Sequence, residues 1–257
     1  MTKYTSDYLR VSQTAFGQGA LSPGGPQELS EILQGLDLTG KRVLDIGCGL
    51  GGFTCLLSKN FGAAYVEGHD VVPLLVEEAQ RLVKSHGLAA EVSCKLVAAD
   101  GNIAALDDSF DVVFSKDSII HIPNKAHFYR EIRRVLKAEG LFVASDWLRS
   151  DEPESEAMIK WRKGSGQPEP MVSQTEAKTF LSQAGFEQIE LRDRNPWYAD
   201  FIPQEIAAVK RALENEQMSS EVRELFEDRL SSTLLKLDLV KAGEHRPTHL
   251  RAFKPNT

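Results

Sequence analysis

Two hydrophobic patterns alternate along most of the chain. Short runs of Val, Leu, Ile and Phe are typical of strands buried in a sheet, and the segments between them repeat apolar residues at helical spacing. This alternation predicts an α/β fold with a doubly wound, mostly parallel seven-stranded sheet. Predicted strands cover residues 42–46, 63–68, 92–98, 110–115, 141–146, 186–192 and 248–254, and predicted helices cover 26–36, 53–61, 73–86, 125–137, 175–184, 201–216 and 220–240.

The segments outside this alternation are expected to cover the sheet. Residues 1–25 are polar, aromatic and rich in glycine, which is typical of a loosely tied terminus or of a flap over a cleft, and we interpret them as a flap. Residues 26–149 form the predicted core. The charged segments 150–174 and 195–245 are interpreted as a helical cap inserted before the last strand, although solvated surface helices show the same charge alternation.

Composition narrows the class of partner. The net charge of -7 at pH 7 argues against nucleic acid, because phosphate binding needs a basic face, and a small molecule is the expected partner. Since neither a membrane-spanning run nor a signal region is found, a cytoplasmic protein without a membrane or obligate protein partner is expected. Cys48, Cys55 and Cys94 lack metal-binding spacing, so we expect buried thiols and no metal site.

A glycine turn follows the first predicted strand. Residues 43–52 read VLDIGCGLGG, and Gly47, Gly49 and Gly52 match the dinucleotide pattern, in which glycines let backbone N–H groups approach a ligand. Asp70, after the second strand, suits the acid that holds ribose hydroxyls in an NAD site. A nucleotide-binding turn is therefore predicted, with an NAD-binding oxidoreductase as one interpretation.

Two further acids favour a different ligand. Asp45 lies inside the turn, where the dinucleotide pattern is usually apolar, and Asp100 ends the third strand with Gly101 behind it. Together with Asp70, these carboxylates suit a cationic ligand that has no pyrophosphate. S-adenosylmethionine is such a ligand.

These motifs resemble a class I S-adenosylmethionine-dependent methyltransferase, over nearly the whole chain. The likeness is carried by residues 43–52, Asp70, Asp100 and the run 110–113, and it implies a Rossmann-like fold in which residues 1–257 form a single methyltransferase domain. It also implies that the glycine turn passes the methionine moiety, that Asp70 binds the ribose hydroxyls and that Asp100 meets the adenine amine. The full set expected to bind S-adenosylmethionine is Tyr4, Ser22, Asp45, Gly47, Gly49, Asp70, Val71, Asp100, Gly101 and Lys116.

Within that superfamily the chain is similar to the phosphoethanolamine N-methyltransferases and their amino-acid N-methylating relatives. The likeness is carried by Tyr4 with the residues up to 25, by the loop 115–121 and by the run 251–254. It implies that Tyr4 and His121 pair across the bound donor and close the site, and that Asp117 binds the amine. Tyr4, Asp117 and His121 are therefore the expected catalytic residues.

The chemistry of an amine acceptor agrees with these roles. A protonated amine has no free lone pair, so it needs a group that takes its proton, and histidine with an ordinary pKa of about 6.5 is suited to that. Asp117 would stabilise the ammonium before transfer. The alternative for His121, which lies among isoleucines, is a semi-buried histidine that caps the helix after Asn124.

Departures from the family pattern concern the acceptor. Gln167 and Glu169 stand where phosphobase enzymes have an arginine and a tyrosine for phosphate, and Ser12 replaces a further tyrosine. Because a glutamate repels phosphate in a desolvated cleft, these residues argue against phosphoethanolamine. Glu169 suits a cationic acceptor, and Arg162 or Lys163 would take a carboxylate.

Aromatic residues offer a further hypothesis. Trp147, Trp161, Trp197 and Tyr198 follow the fifth strand or lie in the cap, where they suit a cation–π cage for a methylated ammonium or ordinary packing. We expect methyl transfer to a small polar metabolite at an amine nitrogen; transfer to oxygen or sulfur and a donor-binding regulatory module stay open. The expected acceptor site is Asp117, His121, Trp147, Arg162, Glu169 and Trp197.

Overall fold

A central sheet organises the computed structural model, which describes residues 4–167, 170–215 and 217–256. Within these residues the sheet has seven strands: β1 Arg42–Ile46, β2 Tyr65–Asp70, β3 Val92–Leu96, β4 Phe110–Lys116, β5 Leu136–Arg149, β6 Glu187–Asp193 and β7 His245–Phe253. The helices are α1 Ser6–Phe16, α2 Gly25–Ile32, α3 Gly52–Lys59, α4 Pro73–Ser85, α5 Lys125–Val135, α6 Glu156–Gly164, α7 Gln174–Gln183, α8 Asn195–Asn215 and α9 Ser220–Lys241, with a 3₁₀ helix at Ile119–His121.

The strand order places a crevice at the centre of the sheet. The order is β3-β2-β1-β4-β5-β7-β6, with β1 to β5 parallel and β7 antiparallel to both β5 and β6. Because the chain moves outward in opposite directions from β1 and from β4, their carboxyl ends flank the position where ligands bind in open α/β sheets. The predicted doubly wound, mostly parallel sheet is confirmed.

Alternate residues of the central strands pack on opposite helical layers. In β1, Val43 packs against residues of α2, α3 and α4, whereas Leu44 packs against residues of α5 and α7. In β4, Val112 and Val113 divide in the same way. This two-residue period follows from the pleat of a strand. It explains why both strands read as continuous apolar runs in the sequence.

The structure adds a helix that the sequence prediction lacks and moves several element boundaries, among them the starts of α8, at Asn195, and of β5. The flap contains α1, whose N-cap residue Thr5 accepts a hydrogen bond from the Tyr8 backbone N–H at 3.2 Å. The buried residues of α1 include the polar Ser12, so few apolar residues recur at helical spacing. The sequence prediction missed the helix for this reason. Strand β5 begins at Leu136, where a helix is predicted, because Leu136 pairs with Phe110 in the sheet and packs in its core.

Helices α8 and α9 form a cap with α1 and α6. Val11 of α1 packs in one cluster with Val209 of α8 and Phe226 of α9. Along α8 the buried residues recur at spacings of three and four, from Tyr198 to Ala212. Most charged residues of α8 and α9 are exposed, but Glu205 and Lys236 are buried. That these helices cap a ligand site stays a prediction.

Two further observations concern the cysteines and the helices. Cys48, Cys55 and Cys94 are buried free thiols, as predicted. In the part of the chain that the structure describes, no helix combines the length and the apolar character that crossing a bilayer demands.

A buried carboxylate ties α2 to the far edge of the sheet. Glu28 accepts hydrogen bonds from Arg194 Nε at 3.0 Å and Nη2 at 2.6 Å, and its other contact is with His249 Nε2 at 2.6 Å. Burial by itself raises the pKa of Glu28, but the hydrogen bonds from His249 and Arg194 outweigh it and hold the pKa at about 2. The ionised form is therefore the one that the fold stabilises.

Replacing Glu28 by glutamine is expected to lower the free energy of unfolding by about 2 to 4 kcal/mol, because Arg194 would lose a buried partner. Since the pKa of Glu28 is lowered on folding, this contribution is present above about pH 4.5 and is lost as the pH falls towards about 2. Urea denaturation of wild type and variant across this pH range measures the contribution of Glu28 to the free energy of unfolding.

The control is Glu31→Gln on the same helix. Glu31 pairs with Arg192 at 2.5 Å and lies 3.8 Å from Arg194, but the side chains of Glu31 and Arg192 are nearly half exposed, so a loss below about 1 kcal/mol is expected. Equal losses in the two variants would show that burial does not distinguish the two pairs.

Candidate active site

The glycine turn leaves β1 and enters α3 at the crevice. Gly47, Gly49 and Gly51 have φ angles of 75°, 54° and 80°, a region that favours glycine. The backbone N–H groups of Gly47 and Cys48 both donate to the carbonyl of His69, at 2.8 and 3.0 Å. The turn is thereby fixed to β2 by two hydrogen bonds.

The turn is packed on both sides by other parts of the site. A Cβ atom at Gly47 would overlap the side chain of Ser118, which precedes the 3₁₀ helix. On the other side, a Cβ atom at Gly52 would overlap the carbonyl oxygen of Gly19 in the flap, which also accepts a hydrogen bond from the Gly52 N–H at 3.2 Å. The flap and the loop after β4 therefore meet at the turn.

Two of the predicted acids support the turn from different sides. Asp70 accepts hydrogen bonds from the N–H groups of Gly49 at 2.9 Å and of Val72 at 3.0 Å, and burial raises its pKa. Asp45 accepts a hydrogen bond from the Thr54 hydroxyl at 2.6 Å, and burial raises its pKa to about 7. Asp45 is 2% exposed and supports α3 through this hydrogen bond, and its expected contact with the cofactor stays a prediction.

The remaining cofactor candidates line the edge beyond β2 and β3. Val71, directly after β2, is 49% exposed. Asp100 is fully exposed and accepts a hydrogen bond from the Asn102 N–H at 2.9 Å, which lowers its pKa. Gly101 lies beside His127, which bonds to Asn102 at 3.0 Å. This edge combines an apolar surface with an ionised carboxylate.

The flap brings further predicted residues over the turn. Leu21 covers Gly49, and the neighbouring Ser22 is buried. Tyr4 is largely buried beside Tyr8, with ring centroids 5.4 Å apart, and its pKa is raised by burial, by Tyr8 and by the charge of Asp70. Tyr4 thus lies on the donor side of the crevice. Its pairing with His121 stays a prediction.

Asp117 and Lys116 form a buried ion pair where β4 ends. The Lys116 Nζ atom lies 2.7 Å from Asp117 Oδ2, and each side chain is 3% exposed. Asp117 Oδ1 accepts a hydrogen bond from the Ser145 hydroxyl at 2.8 Å. The φ angle of Asp117 is 55°, which is uncommon outside glycine and is frequent at functional sites. Each carboxylate oxygen keeps a second lone pair for a further donor.

A buried lysine and a buried aspartate hold the loop that carries His121. Lys125 Nζ donates to the carbonyls of Ile119 and Ile122, both at 2.5 Å, and burial lowers its pKa. Asp146 Oδ1 accepts a hydrogen bond from the Ile120 N–H at 3.0 Å, and burial raises the pKa of Asp146 to about 7. The loop backbone is therefore anchored from two directions.

His121 is exposed at the end of this loop. Its Nδ1 atom lies 2.7 Å from Nε2 of the buried Gln167. The alternative that His121 caps α5 is wrong, because the side chain of Asn124 accepts the capping hydrogen bond from the His127 N–H at 3.0 Å. Gln167 is in turn held by Arg162, whose Nη1 donates to its carbonyl at 2.9 Å.

The other residues expected at the acceptor site contact side chains of the protein itself. Arg162 pairs with a buried carboxylate, Glu154, at 3.0 Å, and its expected role as a carboxylate ligand of the acceptor stays a prediction. Trp197 stacks on Phe201 and lies 5.1 Å from the Arg194 guanidinium, on the flap side. Trp147 does face a cation, but that cation is the chain's own Lys236. The call on Glu169 lies outside the described residues.

A buried polar cluster in the cap was missed by the sequence prediction. Lys236 Nζ lies 3.7 Å from Glu205 Oε2 and 4.9 Å from the Tyr198 ring centroid. Glu205 and Lys236 occupy buried positions on α8 and α9, among residues that are otherwise largely apolar. A charged residue at a buried helical position is the signal that would have identified them.

The glycine turn between β1 and α3 and the acids at the strand ends define a Rossmann-like nucleotide-binding domain. A family model described as a methyltransferase domain matches residues 37–185, more than half of the chain. The chain therefore belongs to this methyltransferase-domain family.

Individual relatives agree with the family. The chain is 30% identical, over 246 residues and 95% of its length, to a phosphoethanolamine N-methyltransferase of Triticum aestivum, of which it covers 47%. It spans about half the length of the curated plant relatives it matches.

Solved structures show the same architecture. Phosphoethanolamine N-methyltransferase 2 of Haemonchus contortus, in complex with phosphomonomethylethanolamine and S-adenosylhomocysteine, matches with a TM-score of 0.89 and 25% identity over 99% of this chain and 59% of that one. A putative sarcosine dimethylglycine methyltransferase from Galdieria sulphuraria matches with a TM-score of 0.78 and 20% identity, over 89% of this chain and 83% of that chain. The second likeness shows the fold alone.

Replacing Gly47 by alanine is expected to abolish binding of a donor analogue, because the new Cβ atom would push Ser118 and the turn apart. Gly40→Ala is the matched control, since Gly40 has a φ of 74° and its Cβ atom would meet no described atom within 4 Å. Backbone strain of about 1 to 2 kcal/mol is common to both variants. Calorimetry with S-adenosylhomocysteine measures the difference, and equal affinities would contradict the steric account.

Replacing Gln167 by glutamate is expected to raise the pKa of the His121 imidazole by about one unit relative to wild type, because a carboxylate beside Nδ1 stabilises the imidazolium. Gln183→Glu, at the exposed end of α7, adds the same charge far from the loop. NMR titration of the His121 ring measures its pKa in both variants. An equal shift in the two variants would exclude a direct contact between Gln167 and His121.

Proposed function

We propose that this protein transfers a methyl group from S-adenosylmethionine to an amine nitrogen of a small polar metabolite. The observation that carries the proposal is the contact between Gly47 and Ser118. It joins the donor turn directly to the loop that holds Asp117 and His121. A methyl donor on the turn and an amine at this loop would be neighbours, as an in-line displacement requires.

The residues of the turn fit S-adenosylmethionine. Asp70 offers two carboxylate oxygens for a ribose diol, the exposed Val71 offers an apolar surface for adenine, and the ionised Asp100 suits the adenine amine. When bound, S-adenosylmethionine supplies a methyl group activated by a sulfonium.

The acceptor loop supplies the groups that an amine needs. Asp117 holds the ammonium form through the lone pairs that Lys116 and Ser145 do not use. His121 takes the proton and so frees the nitrogen lone pair, with its ring oriented by Gln167. Tyr4 closes the donor side and helps to exclude water.

The proposal includes a cellular location and a class of substrate. Three buried thiols favour a reducing compartment, and we place the protein in the cytoplasm. A net charge of -7 favours a small-molecule substrate over nucleic acid.

Replacing His121 by alanine is expected to lower turnover about 100-fold or more, because the amine loses its proton acceptor, while binding of S-adenosylhomocysteine stays unchanged. Assays with labelled donor and small amines measure turnover, and mass spectrometry of the product separates N- from O- and S-methylation. His86→Ala, at the exposed end of α4, is the control.

Calorimetry decides the class of enzyme. Binding of S-adenosylhomocysteine without binding of NAD supports the transferase. Binding of NAD alone would identify the site as that of an oxidoreductase, and unchanged turnover in His121→Ala would refute the role of His121.

A further inference from the structure

Ser118 connects the strand that carries the donor turn to the acceptor loop. Its hydroxyl lies 2.9 Å from the carbonyl oxygen of Ile46, the last residue of β1 before the glycine turn. Its own carbonyl accepts a hydrogen bond from the His121 N–H at 3.1 Å, and its backbone follows directly on Asp117. One residue therefore contacts β1 and adjoins both residues that would receive the amine.

The path of the chain after β4 explains why this contact matters. Ile46 and Ser115 form the last register pair between β1 and β4. Beyond this pair, the Asp117 N–H donates to the Ser145 carbonyl of β5 at 2.7 Å, so the chain turns away from β1. Asp117 has a φ of 55°, and the next residue, Ser118, lies against β1 again. The Ser118 side chain thus ties the loop back to the strand that it has left.

The hydroxyls of Ser115 and Ser118 share the Ile46 carbonyl. Ser115 Oγ lies 2.8 Å from the carbonyl oxygen and 2.7 Å from Ser118 Oγ. Two hydroxyls carry two protons, so only two of the three contacts in this triangle are hydrogen bonds at any one time. Either serine alone satisfies the carbonyl. Removal of the Ser118 hydroxyl therefore releases the loop from β1 without leaving the carbonyl unpaired.

The same side chain is packed on the donor turn. A Cβ atom built at Gly47 would lie 2.4 Å from both Cβ and Oγ of Ser118, so Ser118 rests on the bare backbone of the turn. The hydrogen bond to Ile46 limits how far the loop can move away from the turn. The packing on Gly47 limits how closely the loop can approach it. Together the two contacts fix one separation.

We propose that Ser118 is a positioning residue that fixes the distance between the methyl donor on the turn and the amine at Asp117 and His121. This inference rests on the proposed methyl transfer to an amine. An in-line displacement needs the reacting atoms close together and aligned, and a misplacement of about 1 Å can lower the rate about 100-fold. Ser118 takes no part in the proton transfer and acts on the rate through the position of the loop.

The test compares Ser118→Ala with Ser115→Ala, since each variant removes one hydroxyl from the same triangle but only Ser118 belongs to the loop. The acceptor is the best substrate among glycine, N-methylglycine, ethanolamine and phosphoethanolamine, and single-turnover assays with labelled S-adenosylmethionine measure the transfer step. The rate is expected to fall about tenfold in Ser118→Ala. It is expected to fall less than about twofold in Ser115→Ala, where Ser118 still donates to Ile46.

Two further measurements separate positioning from binding and from proton transfer. In Ser118→Ala, the Kd of S-adenosylhomocysteine and the KM of the amine are expected to stay within about twofold of wild type, because no ligand contact is removed. The pH profile of the single-turnover rate is expected to keep its shape, because His121 retains its contact with Gln167. Circular dichroism shows whether each variant is folded.

The outcomes separate this inference from the proposed function. An unchanged rate in Ser118→Ala, an equal loss in Ser115→Ala, a weakened Kd or a shifted pH profile overturns the positioning role and leaves N-methyl transfer standing. Failure of the wild-type protein to methylate any of the four amines overturns both. If Ser118→Ala does not fold, Ser118→Cys, whose thiol is a weaker donor of similar size, decides the question by the same criteria.

Discussion

The absence of side chains at Gly47 and Gly52 is the constraint on which the site depends. Three segments distant in sequence meet at the turn: the flap at Gly19, the end of β1 and the loop at Ser118. A single Cβ atom at either glycine would separate two of them. The glycines therefore set how closely the flap and the loop after β4 approach the turn.

Buried charge is concentrated on the acceptor side of the sheet. Lys125 and Asp146 hold the loop of His121, and Lys116 and Asp117 pair beside it. Burying such groups costs free energy that an apolar core would avoid, so their presence indicates positioning rather than stability. The donor side is built differently, from backbone hydrogen bonds around the turn.

The sequence predicts the parts of the molecule in which local pattern and tertiary structure agree. The parallel strands and the turn have strong local signals, and Asp70 lies at a strand end as predicted. Helix α1 and the start of β5 were missed because contacts distant in sequence determine them. The link between Gln167 and His121 spans 46 residues, and no spacing rule reveals it. The buried polar cluster around Lys236 was missed for the same reason, although the sequence shows this lysine among leucines.

The segment at the end of α1 links the cap to the glycine turn. Its residue Phe16 lies under the Arg229 guanidinium at 4.6 Å, while Gly19, three residues later, rests on the glycine turn. One short segment thus touches both Arg229 of α9 and the glycine turn. A displacement of this segment would break both contacts together, so the cap and the turn are mechanically coupled through residues 16–19.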